Sequence, residues 1–272
     1  MIAIPFKDNK YHDIIKIADN ESAFTYENGE KVGGLMKRPI NRLIGKMSDE
    51  DINLTTDLIN KEYNYNKLII NLLSKKECKN HYCICNKYSN IVLPSGNVNS
   101  DIMFVLGMPT KIDGEHNTIA YDDYGKMLTI ILKRLGISRN DVYITSICKC
   151  HCDCNDIYNL SLACSSLYLF NEIQIVKPKK IIAFGIDAIN VLRTYFNENL
   201  NIVNDVMAVR GKTFIGNLDD NYFRVLQTVD INKIIEKSKS IAAVYKNVLW
   251  NDVKWFYNYT EGCDLNDKSV TN

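Results

Sequence analysis

From residue 100 onward the chain alternates short apolar runs with segments of helical period, and this alternation limits the fold more than any other feature. Ile102 to Leu106 leads to a helical pattern over Gly125–Leu135, Val142–Ile147 to one over Leu160–Val176, and Lys180–Phe184 to one over Ile186–Phe196. A fourth run near Val225–Val229 precedes a long helical region, Asn232 to Asn247, and a closing WNDVKWFYNY segment. Short, largely apolar runs of this kind read as strands buried on both faces, and helix-length spacers between them make parallel βαβ units with right-handed crossovers. The pattern predicts an α/β protein: a three-layer α/β/α sandwich around a central, mostly parallel four-stranded sheet.

In an open sheet of this kind the ligand sits beyond the carboxyl ends of the strands. That rule directs attention to Asp101 to Gly125, DIMFVLGMPTKIDGEHNTIAYDDYG, where the apolar run stops at Gly107-Met108-Pro109 and gives way to a polar loop. Its companion is IVKPKKIIAFG, Ile175 to Gly185.

Residues 1–75 are less regular and read as an N-terminal extension or small helical subdomain. Asn20 to Gly34 looks like a loop, and a helix starts at Ser48, where Ser48 and Asp51 resemble a capping box. Leu68 to Leu73 is apolar enough to pack onto the main body, residues 76–259, and the polar stretch 260–272 reads as a frayed tail. With 272 residues and 46% hydrophobic content the chain can bury a sizeable core. Thirty-three Lys+Arg against 32 Asp+Glu leave a net charge of +1, so any nucleic-acid binding must rest on a local patch. MIAIPFKDNK lacks the features of a signal peptide, and no run reaches the ~20 apolar residues of a membrane span. The expectation is an intracellular, cytoplasmic protein without membrane contact.

Nine cysteines in such a chain point away from disulfides, and eight of them lie between Cys78 and Cys164. Cys148, Cys150, Cys152 and Cys154 follow a strand in SICKCHCDCND, Cys164 lies near the next helix, and Cys78, Cys83 and Cys85 lie upstream in ECKNHYCICNKY. Four converging thiolates suit tetrahedral zinc or an iron–sulfur cluster. Alternate spacing cannot point all of Cys148 to Cys154 one way, so some are ordinary buried thiols.

From about Cys83 to Lys254 the chain resembles the iron–sulfur uracil-DNA glycosylases of the uracil-DNA glycosylase superfamily. Arg139, Asp141, Val142, Tyr143, Ile144, Lys149 and Cys150 match that family's R-x-D-V-Y-I-x-N-x-x-K-C, Cys164 its helix cysteine, and Lys177, Pro178 and Gly185 its K-P-x-x-I-x-x-x-G. The resemblance implies a [4Fe–4S] cluster, with zinc as the alternative, held by Cys150, Cys164, Cys85 and one of Cys83 or Cys78. It implies DNA as partner, a structural cluster, and hydrolysis of an N-glycosidic bond after base flipping.

The family's chemical positions are altered. Its G-E-x-P-G acid is missing from Gly107-Met108-Pro109-Thr110, and the ring that stacks on uracil aligns with Ala120. The asparagine that reads uracil aligns with Ser146, and the histidine of its late H-P-S with Asp230. Met108, Ala120 and Ser146 therefore imply a pocket, completed by Gly107, Pro109 and Tyr121, that has been rebuilt for a base other than uracil, such as a hypermodified pyrimidine of phage DNA.

Asp230 is the leading carboxylate because it ends a strand at the mouth. Asp113, Glu115, Asp122 and Asp123 in the first loop are the other candidates. Tyr121 and Tyr124 are candidates for the lost stacking. Arg210, Lys212, Lys233, Lys237 and Lys239 are candidate phosphate contacts. The alternative to an enzyme is a catalytically inactive nucleic-acid-binding or replication-associated protein on the same fold, and a zinc-stabilised interaction module stands third. Residues 1–75 offer a surface for a protein partner.

Overall fold

The computed structural model describes residues 24–27, 30–34, 49–74, 90–152, 157–197 and 201–259. The chain divides into two compact units, Met1–Asn64 and Tyr65–Asn272. In the first, β1 (Phe24–Glu27) and β2 (Glu30–Gly34) form an antiparallel hairpin where the sequence reads as a loop. The glycines and asparagines of that stretch mask two very short strands. The helix expected from Ser48 is α1, Asp49–Ser74, and its last part from Tyr65 belongs to the second unit.

That second unit holds β3 (Ser95–Gly96), β4 (Ile102–Leu106), α2 (Lys111–His116), α3 (Asp123–Arg134), β5 (Tyr143–Ser146), α4 (Ile157–Leu167), α5 (Leu169–Val176), β6 (Lys180–Phe184), α6 (Ile186–Phe196), β7 (Thr213–Leu218), β8 (Asn221–Thr228), α7 (Ile231–Ile235) and α8 (Lys239–Asn258). Its six-stranded sheet has the order β3-β5-β4-β6-β8-β7. The four expected strands, β4, β5, β6 and β8, form its parallel centre. The two edges, β3 and β7, pair antiparallel and are additions to the expected four-stranded sheet.

Alternation along each central strand splits the core in two. Met103 and Val105 of β4 face one layer with Ile181, Ala183, α4, α5, α6 and the end of α1. Phe104 and Leu106 face the other with Ile182, Phe184, α3, α7 and α8. This is the three-layer sandwich. It also explains why β4 and β6 are apolar over Met103–Leu106 and Ile181–Phe184: each of these side chains is buried, whichever face it takes.

The long helices are shorter than their periodicity. Leu160–Val176 is broken at Tyr168 (φ −129°, ψ −54°), whose ring is wholly buried. The region from Asn232 breaks between Ile235 and Lys239, and α8 then runs on through the closing segment to Asn258.

Candidate active site

After β4 the chain moves to β5 on one side, then returns past β4 to β6 on the other. The carboxyl ends of β4 and β6 therefore flank a topological switch point, where an open α/β sheet forms its ligand crevice. Gly107-Met108-Pro109 leaves β4 there, and Gly185 leaves β6. Asp230 arrives from β8 beside them.

Gly185 has φ +86° and ψ 165°, a conformation essentially confined to glycine. A Cβ at this position would lie 2.8 Å from Cβ and 3.1 Å from Oδ2 of Asp230. The missing side chain is thus the space the Asp230 carboxyl occupies. Asp230 also caps α7, its Oδ1 accepting from the Asn232 amide at 2.9 Å. Burial pushes its carboxyl above the ordinary value against the pull of Asn232 and Lys233, and Asp187 on α6 adds to the rise. Asp187 was not singled out in the sequence, where nothing separates it from a solvated first-turn acid.

The first loop is more ordered than its polar composition predicts. Thr110 and Asp113 form a capping box that starts α2, and Asn117 ends it in the left-handed region. Asp113 is fully buried and its carboxylate is wrapped: Oδ2 accepts from the Thr110 amide at 3.0 Å and from the Tyr124 hydroxyl, and Oδ1 from the Tyr121 amide at 2.9 Å. Tyr124 hydroxyl accepts in turn from the Ala120 amide at 2.9 Å, and burial with the Asp113 charge beside it keeps this phenol protonated. Arg139 donates to the carbonyls of Ala120 at 2.8 Å and Ile119 at 3.1 Å. A Cβ on Gly125 would meet the Ala120 carbonyl oxygen at 1.9 Å, so only glycine lets the loop close. The network holds Ala120 at φ +57°.

The other acids differ from Asp113. Asp122 caps α3 through Tyr124 N at 3.1 Å, and its second oxygen accepts from Thr110 Oγ1 at 3.2 Å. Its carboxyl is raised, chiefly by burial and also by Asp113. Asp123 is exposed and paired with Lys126 at 2.7 Å, and Glu115 is exposed.

Of the pocket candidates, Ala120 and Ser146 are both 1% exposed. Ala120 packs into the layer with α3, and Ser146 Oγ donates to the Cys148 carbonyl at 2.5 Å. Met108 is half-buried against the opposite layer. Tyr121 is exposed, and its ring stacks on His116 with centroids 3.6 Å apart. His151, which the sequence reading passed over, joins two loops of the mouth through Nδ1 and the Pro109 carbonyl, 3.0 Å apart. Its position just beyond a strand's carboxyl end was the available signal.

The cation candidates divide as well. Arg210 turns inward to the buried Asp252, which also accepts from Thr228 Oγ1 at 2.8 Å. Lys237 lies over the Tyr245 ring at 4.9 Å, whereas Lys212, Lys233 and Lys239 are exposed.

Cys150, after β5, and Cys164, on α4, are both buried. The Lys149 amide donates to Cys164 Sγ at 3.3 Å. The Cys164 thiol donates a hydrogen bond to the nearby Cys148 sulfur, and this, reinforced by burial, holds it well above the ordinary value. Behind them the Lys149 ammonium is buried with Glu172 at 2.9 Å and reaches Thr145 Oγ1 at 2.5 Å and the Ser146 carbonyl at 2.8 Å. Buried sulfur served by a backbone N–H fits a thiolate-held group. Cys78, Cys83, Cys85 and Cys154 lie outside the described residues, and among the described residues no three His, Cys, Asp or Glu side chains gather as a metal site.

The model of the "Uracil DNA glycosylase superfamily" matches residues 93–254, more than half of the chain. This chain belongs to the uracil DNA glycosylase superfamily. Its relatives in that superfamily include the type-4 uracil-DNA glycosylase of Pyrobaculum aerophilum, 30% identical over 138 residues, or 50% of this chain and 69% of that protein. Those of Sulfurisphaera tokodaii and Thermotoga maritima are 29% and 28% identical, covering 53% and 56% of this chain and 63% and 83% of theirs. The resemblance to the iron–sulfur, type-4 uracil-DNA glycosylases and the α/β fold read from the strand–helix alternation are both borne out, and superfamily membership supports a DNA glycosylase-like function. Among the described residues no helix is long and apolar enough to cross a membrane.

Proposed function

We propose that the chain is a DNA glycosylase that hydrolyses the N-glycosidic bond of a base other than uracil, with Asp230 as its carboxylate. The observation that carries this reading is the seat of Asp230: a capped carboxyl occupying the side-chain space of Gly185, at the switch point of a glycosylase fold. Breaking the bond between sugar and base builds positive charge on the sugar, and an ionised carboxylate facing it stabilises that charge or orients the attacking water. Asp122 is the second candidate. Asp113 serves by holding the loop, because its oxygens are occupied by three donors.

Uracil recognition by the family's usual contacts is disfavoured by Ser146, whose hydroxyl is committed to Cys148, and by Ala120, which offers no ring. A hypermodified pyrimidine would instead find Tyr121 at the mouth. Lys212 and Lys233 are the phosphate contacts we favour, since Arg210 is held by Asp252. A [4Fe–4S] cluster would be held by Cys150 and Cys164 with Cys85 and one of Cys83 or Cys78. When bound it would brace the loops structurally.

Duplexes bearing uracil, hydroxymethylcytosine or glucosylated cytosine, incubated with the protein and treated with alkali, test the reading. Strand breaks at a modified cytosine, lost in Asp230→Asn, are expected. Breaks that persist undiminished in Asp230→Asn move the carboxylate to Asp122. Binding to every duplex with breaks in none establishes the second reading, a nucleic-acid-binding protein without hydrolysis, which the apolar Met108 at the family's acid position favours.

A further inference from the structure

The aromatic closing segment takes no part in the crevice. Lys180, the first residue of β6, donates from Nζ to the carbonyls of Phe256 at 3.0 Å, Tyr257 at 2.9 Å and Tyr259 at 2.5 Å. α8 therefore ends at the amino end of the parallel strands, opposite the mouth. The cation there also satisfies carbonyls that a helix terminus leaves without partners.

An open depression of about 390 Å3 lies at this end, lined by Asn251, Lys254, Trp255, Asn258 and Tyr259. Its size is that of a small-ligand cleft. Trp255 is 49% exposed and its ring lies 5.5 Å from that of Tyr259. Cations lie beside the rings of this helix end: Arg224 lies 5.0 Å from the Tyr259 ring, and Arg134 and Lys254 lie 5.7 and 5.9 Å from the neighbouring Trp250 ring. Among the described residues no acid lines the depression. The single acid of α8, Asp252, is buried and paired with Arg210.

We propose that this face binds single-stranded nucleic acid, a base stacking on Trp255 and phosphates pairing with Lys254 and Arg134. A ring beside cations, with no carboxylate among its described lining residues, matches the two things a single strand presents: a π-face that every base has and a regularly charged backbone. The Asn251 and Asn258 amides add donors and acceptors for sugar or base edges without demanding a sequence. Residues matched to the superfamily end at 254, so Trp255 and Tyr259 lie beyond that match. The surface is separate from the crevice and does not depend on the reaction assigned there.

Trp255 lines the depression and the Trp250 ring lies 5.9 Å from Lys254, so ligand at these residues reaches both tryptophans of the chain. Titrating the full chain with a short, end-labelled oligothymidylate should change tryptophan emission in step with the label's anisotropy. Trp255→Ala should weaken binding at least about five-fold. Lys254→Gln should lower the slope of log affinity against log salt by about 0.7, one phosphate contact. Tyr222→Ala, which removes another exposed ring, on β8, should leave affinity unchanged.

Absence of binding, binding without any change in emission, or wild-type affinity in Trp255→Ala each overturns the proposal. Emission that shifts on dilution of the protein alone assigns the face to a second copy and overturns it too. Because base excision is not measured, failure of the crevice reading leaves this result standing, and failure here leaves the crevice reading intact.

Discussion

Replacing Gly185 by alanine tests the seat of Asp230 directly. The backbone at φ +86°, ψ 165° is one that a side chain disfavours by about 1–3 kcal/mol. The new methyl would also lie 2.8 Å from Asp230 Cβ, and forcing extra volume into a packed site costs about another 1–3 kcal/mol. The expected destabilisation is about 2–6 kcal/mol in urea unfolding, and each kcal/mol lowers the melting temperature of a unit this size by about 2–4 °C. Gly136→Ala is the control: its φ is +78° but nothing lies within 4 Å of the new Cβ, so only the backbone cost applies. The contact itself is isolated by a double-mutant cycle with Asp230→Gly, which removes the atoms struck while leaving a tolerated helix cap. A coupling of about 0.5–3 kcal/mol is expected; additivity within about 0.5 kcal/mol would refute the claim that Gly185 makes room for Asp230.

Three other perturbations have defined outcomes. Asp230→Asn keeps the cap and removes a carboxyl whose folded-state pKa is raised; such a group contributes stability below its unfolded value of 3.8 that is lost as pH rises through its folded value. The variant should therefore match the native chain in acid and melt higher near neutrality, and equal melting temperatures at both pH values refute the burial of charge. Tyr124→Phe strips the hydroxyl from Asp113 and the Ala120 amide, which should cost about 1–3 kcal/mol and speed amide exchange at Ala120 and Tyr121 while α6 amides stay protected. Glu172→Gln strands the buried Lys149 ammonium and should cost about 3–5 kcal/mol, much of it recovered in Lys149→Met/Glu172→Gln, as read by urea unfolding.

What the sequence disclosed and what it withheld have separate physical causes. Ile102–Leu106 and Ile181–Phe184 were legible because a central strand buried on both faces is apolar at nearly every position. β7 was not: Thr213–Leu218 carries an internal glycine and an exposed Ile215, which blur the alternation of an edge strand. α2 is six residues long, too short for a helical period, although its Thr110–Asp113 box was readable.

Asp230 was recognisable from its place at a strand's end. The fates of Asp113 and Arg210 were not, because each is decided by a partner distant in sequence: Tyr124 lies 11 residues from Asp113, and Asp252 lies 42 from Arg210. A loop acid and a surface arginine look identical in sequence whether they face solvent or an internal partner.

Gly185 has a further consequence, for how such a crevice can diverge. Any side chain there displaces the carboxyl at 230, so exchanges on the β6 and β8 side are filtered by loss of the acid before any new base can be accommodated. The β4 and β5 side carries no such veto, since a Cβ on Gly107 would meet nothing within 4 Å. New specificities in chains of this kind should accumulate on one wall of the crevice while the other stays fixed.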